Sequence, residues 1–270
     1  MTFIANARMY AVSPDAEAAW QDLIAHIARD AGVPLVYEAY PAPQPLENLW
    51  RRDDLGCVQM CGYPIALKVA EVTPLASPIP AAAWAGGNAV YRSDLIVRRD
   101  APYQTLADTF SGIVGWTVEH SHSGFNALRH HLLAHRPGDH AHLFQNAVGH
   151  LVTARRILDS VLDGTIDIGP LDDYWHMLIK KYRPDLTDGI RTLESTATAP
   201  MPAFVASPNL PADDVDRLRQ AFASAATRPW FPDFKEGLLI DGFEPMSLAT
   251  FDETLAWDRA ARAAGYPLPA

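Results

Sequence analysis

Cysteine is nearly missing from this chain: two in 270 residues, Cys57 and Cys61, both inside the short stretch Gly56-Cys57-Val58-Gln59-Met60-Cys61-Gly62. On a strand their Cα atoms stand too far apart for a disulfide, so a cross-linked secreted scaffold is excluded and both are expected as reduced, buried thiols. Long apolar runs are missing too. None reaches the ~18–20 residues of a membrane-spanning helix, so no membrane insertion is expected. The start, Met1 to Pro14, has neither the basic nor the apolar region of a secretory signal, and as written the chain is expected in the cytoplasm. Positive charge is in deficit, with 22 Lys and Arg against 32 Asp and Glu and a net charge of −10. Such a surface repels phosphate backbones at long range, so no nucleic-acid partner is expected. Also absent are G-x-S-x-G, the Walker G-x-x-x-x-G-K-[ST], G-x-G-x-x-G and H-E-x-x-H, the usual devices of acyl transfer, nucleotide hydrolysis, dinucleotide binding and zinc proteolysis.

What is present is ordinary globular composition, 49% apolar and 20% charged, in a chain long enough for two lobes. Ser13-Pro14-Asp15 supplies a cap, a proline suited to the first helical position and an acid for the helix dipole. A helix is expected from Pro14 to about Ala31, its apolar positions Ala16, Trp20, Leu23, Ile24 and Ile27 recurring at helical spacing, with Gly32 as the stop. With strands at Phe3 to Met9, Leu35 to Ala39 and Cys57 to Met60, and a short helix at Leu46 to Arg51, the rhythm is β-α-β-α-β, hence a mainly parallel sheet. The segment Val72 to Trp84 is rich in proline and alanine, and with the extended run Ala89 to Arg98 it is expected to carry the crossing between lobes. Helix-like and strand-like segments then alternate again: Thr105 to Phe110, Ile113 to Val118, Gly124 to Ala134, Gly149 to Asp163, Ile166 to Ile168, Asp172 to Tyr182. Amphipathic helices near Ala212 to Ala225 and Leu248 to Ala264 are expected to return to lobe one. The expected division is 1–93 and 201–270 for lobe one and 94–200 for lobe two.

Chemistry concentrates at two strand-to-helix junctions. Val118-Glu119-His120-Ser121-His122-Ser123-Gly124-Phe125 joins a buried-looking strand to a helix through small hydroxyl residues. Open backbone N–H groups and the positive end of a helix dipole bind an oxyanion without Arg or Lys, so Ser121, His122 and Ser123 form a candidate anion pocket. The plainer alternative is that Ser121 or Ser123 simply caps the helix. The second junction, Ile166 to Trp175, puts Asp172, Asp173 and Tyr174 at the carboxyl end of a strand, where open α/β sheets hold ligands; there, too, an acid can be only a cap. Tyr10, Tyr63 and Tyr91 close or follow strands of the first lobe and are candidates for the same cleft, although strand aromatics also serve as core. Eight of the ten histidines lie between His120 and His150, with H-x-H at His120/His122 and His140/His142 and an i,i+4 pair at His131/His135. That spacing suits zinc. With no H-E-x-x-H and the cysteines far away, neither a metal site nor a cofactor is expected.

The order of these segments resembles the phosphonate-binding family of substrate-binding proteins from ABC importers, which have the two-lobed α/β type II periplasmic-binding fold. The matching stretches are Tyr91-Arg92-Ser93-Asp94-Leu95-Ile96-Val97-Arg98, Thr105-Leu106-Ala107-Asp108, Ser121-His122-Ser123-Gly124, Gly149-His150 with Val161-Leu162-Asp163-Gly164-Thr165-Ile166-Asp167, and Asp172-Asp173-Tyr174. The resemblance implies a small anionic solute (phosphonate, phosphate or a related oxyanion) held in an interlobe cleft, with an ABC permease as partner and export from the cytoplasm. It assigns the oxyanion grip to Ser121, His122 and Ser123, closure to Tyr10, Tyr63 and Tyr91, and further contacts to His150, opening the later helix, and to Asp172 and Tyr174. One departure stands out: His122 replaces a small hydroxyl residue, which narrows the pocket, adds a charge-assisted contact or rejects phosphonate. Two rival readings use the same scaffold. One is an enzyme with His122, His150 and Asp172 as acid–base groups on a small phosphorylated or heterocyclic substrate; the other is a cytosolic small-molecule sensor. The solute-binding reading is favoured because the candidate residues suit anion gripping and no nucleophile or standard catalytic device is present.

Overall fold

Ser13, Pro14 and Gly32 act as their chemistry demands. In the computed structural model, which describes residues 2–136 and 142–270, the Ser13 hydroxyl accepts from the Ala16 amide at 3.1 Å and opens the helix Pro14–Ala31. Gly32 closes it at φ 64°, donating its amide back to the last turn. Trp20, Leu23, Ile24 and Ile27 are all buried, and Trp20 meets Phe204 edge to face at 5.7 Å.

The chain forms two units, Met1–Tyr91 with Pro200–Asp252 and Arg92–Ala199 with Glu253–Ala270. It passes between them after residues 91, 199 and 252. The first unit carries a six-stranded sheet in the order Ile240–Pro245, Thr73–Pro80, Ala203–Ala206, Leu55–Met60, Phe3–Asn6, Leu35–Tyr37. Phe3–Asn6 runs parallel to both its neighbours, while Ala203–Ala206 lies antiparallel to Leu55–Met60 and to Thr73–Pro80. The proline-rich segment read as a crossing is therefore a strand well inside the sheet. Register irregularities beside Pro74 and near Pro80 accommodate residues that cannot donate to a ladder. Cys57 lies buried on Leu55–Met60 and Cys61 just beyond it, both as free thiols.

The second unit carries a five-stranded sheet in the order Ile190–Ser195, Ser93–Arg98, Ile168–Asp172, Ile113–Gly115, Asn146–Val148. Ile113–Gly115 pairs parallel with both its neighbours, and Ser93–Arg98 pairs antiparallel with both of its own. Leu95, Val97, Val114, Trp116, Phe125, Leu128 and Ile168 form its core, so the junction Val118 to Phe125 is rooted in packed apolar residues on both sides.

The expected boundaries need one large correction. The final helix, Asp252–Ala263, was assigned to lobe one, yet Glu253–Ala270 belongs with the second unit. Asn126 Nδ2 donates to the Thr254 carbonyl at 2.8 Å, buried Arg129 pairs with Asp258, and Arg129 Nη1 donates to the Pro267 carbonyl at 3.0 Å. Two polar anchors and an ion pair decide where this helix docks. The helix Ala212–Ser224 does stay in the first unit, with Phe222 stacked on Phe204 at 5.3 Å.

Candidate functional site

In the second unit the candidate residues collect at one edge of the sheet. Strands Ile113–Gly115 and Ile168–Asp172 are parallel, and both lead, at their carboxyl ends, into segments singled out above. That is the edge where ligands sit in open α/β sheets. After the first strand, Ser121 to Asn126 form one wide helical turn: the Asn126 amide donates to the Ser121 carbonyl at 3.0 Å, a five-residue reach, before an α-helix follows at Ala127–Leu132. Turns of this π type occur frequently at functional sites. Ser121 caps it, its hydroxyl accepting from the Gly124 amide at 3.0 Å. Ser123 is half-buried, and its carbonyl accepts from the Ser93 hydroxyl at 2.9 Å. Position 124 admits only glycine, because a Cβ there would lie 2.0 Å from Thr117 Oγ1.

His122 departs from its expected role. It is 2% exposed, lies 5.0 Å from the Trp257 ring, and its Nδ1 is 3.3 Å from the Asn126 side-chain nitrogen, which can only donate. Burial, reinforced by nearby His130, pushes its pKa down to about 3. A neutral imidazole in a core cannot supply the charge-assisted contact that the sequence allows for.

After the second strand, Asp172 and Asp173 divide their work. Asp172 is the cap of Asp173–Tyr182, accepting from the Trp175 amide at 3.0 Å. Asp173 is the perturbed acid: burial, then the neighbouring Asp172 charge, push its pKa up to about 8 even though Arg92 Nε lies 3.4 Å from Oδ2. The ion pair lowers that value and burial raises it; burial wins, because Asp173 is 3% exposed. Ser93 pairs in register with Asp172, so Ser93, Ser123, Asp172 and Asp173 form one connected group with Arg92 beside it. Asp173 was singled out with Asp172 at the second junction, whereas Arg92 and Ser93 were not expected as site residues, although both lie in a stretch the sequence analysis quoted.

Other expected residues are placed differently. His150 does not open a helix: it lies at φ 56° in an irregular stretch before the helix Ala154–Leu162, which Thr153 caps. Its exposed ring is 4.9 Å from Trp116, with Nε2 3.4 Å from Glu119 Oε1. Tyr174 is fully buried, and burial holds its phenol pKa well above the usual value. In the first unit, Tyr10 and Tyr63 follow the carboxyl ends of the parallel strands Phe3–Asn6 and Leu55–Met60, and Tyr91 Oη lies 3.4 Å from Cys61 Sγ. All three are buried. Of the histidine pairs, His140 lies outside the described residues.

The architecture is that of the type II periplasmic-binding proteins. Similar solved structures include the binding-protein component of an ABC phosphonate transporter (PA3383) from Pseudomonas aeruginosa, 14% identical with TM-score 0.78 over 98% of this chain and 88% of that one. PhnD1 from Prochlorococcus marinus in complex with methylphosphonate is 13% identical, with TM-score 0.76 over 97% and 98%. XAC2383 from Xanthomonas citri bound to chloride ion is 18% identical, with TM-score 0.67 over 97% and 99%. No curated protein matches the chain. Residues 10–251 match the family of periplasmic substrate-binding proteins of ABC phosphonate transporters, and the chain belongs to that family. The family binds small solutes for a permease and is not one of enzymes. Among the described residues, no helix is long and apolar enough to cross a membrane.

Proposed function

We propose that this chain grips a small oxyanion, a phosphonate, phosphate or close relative, and delivers it to an ABC permease. The observation that carries the reading is the Ser121–Gly124 turn at the carboxyl edge of the second unit's parallel strands. A helix start offers amides with no acceptor in a preceding turn, and anions bind there. Ser121 sets the turn's geometry, Ser123 supplies a hydroxyl, and Ser93 braces the Ser123 carbonyl. Arg92, paired with Asp173, is the nearby cation. His122 supports the turn from behind as a neutral core residue, so the grip rests on amides and hydroxyls. Tyr10, Tyr63 and Tyr91 on the first unit, and the interlobe position of the ligand, remain part of this proposal on the strength of the family resemblance.

The placement of the candidate acid–base groups favours binding over the enzyme reading. Of its three acid–base groups, His122 is buried and neutral, Asp172 caps a helix and His150 is exposed beside Glu119. The test begins with native mass spectrometry of freshly purified protein and thermal-shift screening against phosphate, methylphosphonate, sulfonates and small carboxylates. Ser123→Ala should then weaken the best oxyanion by about 1–2 kcal/mol, the worth of one hydrogen bond to a charged group. Unchanged affinity would remove the turn from the site.

A further inference from the structure

Away from the proposed anion site, the second unit gathers His131, His135 and Glu194. We propose that these three side chains bind a divalent transition-metal ion of the zinc type. His131 lies on the helix Ala127–Leu132, His135 on the single turn Leu133–His135 that continues it, and Glu194 on the strand Ile190–Ser195. One donor atom from each lies within 4.8 Å of the others, and His131 Nε2 is 2.6 Å from Glu194 Oε1. Tetrahedral bonds of zinc to nitrogen and oxygen place ligand atoms about 3.4 Å apart. The His131–Glu194 separation is shorter than that value and no pair of donors is more than 4.8 Å apart, so small side-chain rotations suffice, with the metal taking the place of the His131–Glu194 hydrogen bond.

Two features build the site into the fold. The pairing of Ile190–Ser195 with Ser93–Arg98 is irregular between Thr192 and Glu194. An irregularity of this kind re-aims a side chain, and here Leu193 packs on the core while Glu194 reaches His131. The His135 ring, in turn, packs edge to face against Phe110 at 5.7 Å, which limits its swing. The donor set, two imidazoles and a carboxylate, suits zinc and its neighbours over magnesium or calcium. Side-chain exposures of 22% for His131 and 39% for Glu194 leave a route for the ion and room for water as a further ligand. A bound ion would tie the end of the helix that grows out of the Ser121–Gly124 turn to the strand beside it.

The experiment is calorimetric titration of zinc chloride into tag-free full-length protein in a non-chelating buffer. One ion per chain is expected, with a rise in melting temperature. His135→Gln and Glu194→Gln should each weaken zinc at least tenfold while leaving the metal-free melting curve in place. His26→Gln, a histidine of the other unit, should bind as the parent does. Cobalt(II) should give visible absorption bands of a nitrogen- and oxygen-ligated ion, lost in both cluster variants. No saturable zinc binding, or parental affinity in both His135→Gln and Glu194→Gln, would overturn the proposal.

Discussion

A histidine placed where relatives of the fold are expected to carry a hydroxyl invites a role in ligand charge, but its surroundings decide otherwise. His122 has a pKa near 3, lowered from 6.5 by burial and by His130. Below pH 6.5 the unfolded chain takes up a proton that the folded chain refuses, so the stabilising effect is full above pH 6.5 and is lost as pH falls toward 3. At 1.4 kcal/mol per unit, the group should cost about 2 kcal/mol between pH 6.5 and 5. Denaturant melts across that range should show a shallower acid-side slope for His122→Gln than for the parent; equal slopes would show that His122 is already protonated in the folded state. Histidine's identity was legible, its depth was not: Trp257 and Asn126, which bury it, are separated by 131 residues of sequence. Glu194, far in sequence from the His131/His135 pair, was hidden for the same reason. Ser121 was readable as a cap because capping is local chemistry. The left-handed backbone at His150 left no such mark, since histidine carries no glycine-like signal.

At the scale of elements, local signals served well. Ser13, Pro14 and Gly32 mark both ends of the first helix, and the apolar spacing between them marks its buried face. The strand at Thr73–Pro80 was obscured because proline reads as punctuation, whereas the register irregularities that tolerate it exist only once neighbours are in place. The Ser121–Asn126 turn depends on Gly124 lying against Thr117. Gly124→Ala should therefore destabilise the protein by about 1–3 kcal/mol through overpacking, measured by urea melts, and Thr117→Ala in the same chain should recover part of that loss. Additive effects of the two substitutions would mean that the close approach does not set the turn.

At the scale of the whole molecule, the amphipathic pattern of the last helix shows that it has a buried face but not which unit receives it. Asn126, Arg129 and Asp258 settle that. Asp258→Ala strips the carboxylate from an Arg129 that is 1% exposed, and should destabilise by about 3 kcal/mol in equilibrium unfolding; a loss below about 0.5 kcal/mol would show that the segment is held by apolar packing alone. The mixed α/β, type II architecture was legible as a rhythm of elements and as a resemblance, and membership of the phosphonate-binding family now rests on residues 10–251. Ligand class is the step that a single titration tests most directly. Protein stripped of bound solute by unfolding and refolding should be titrated with methylphosphonate, inorganic phosphate and an uncharged ester of each. Saturable one-to-one binding of at least one oxyanion, with none by the uncharged esters, is the expected result. Tight binding of an uncharged ester, or no heat from either oxyanion, would contradict an anion grip built on the Ser121–Gly124 turn.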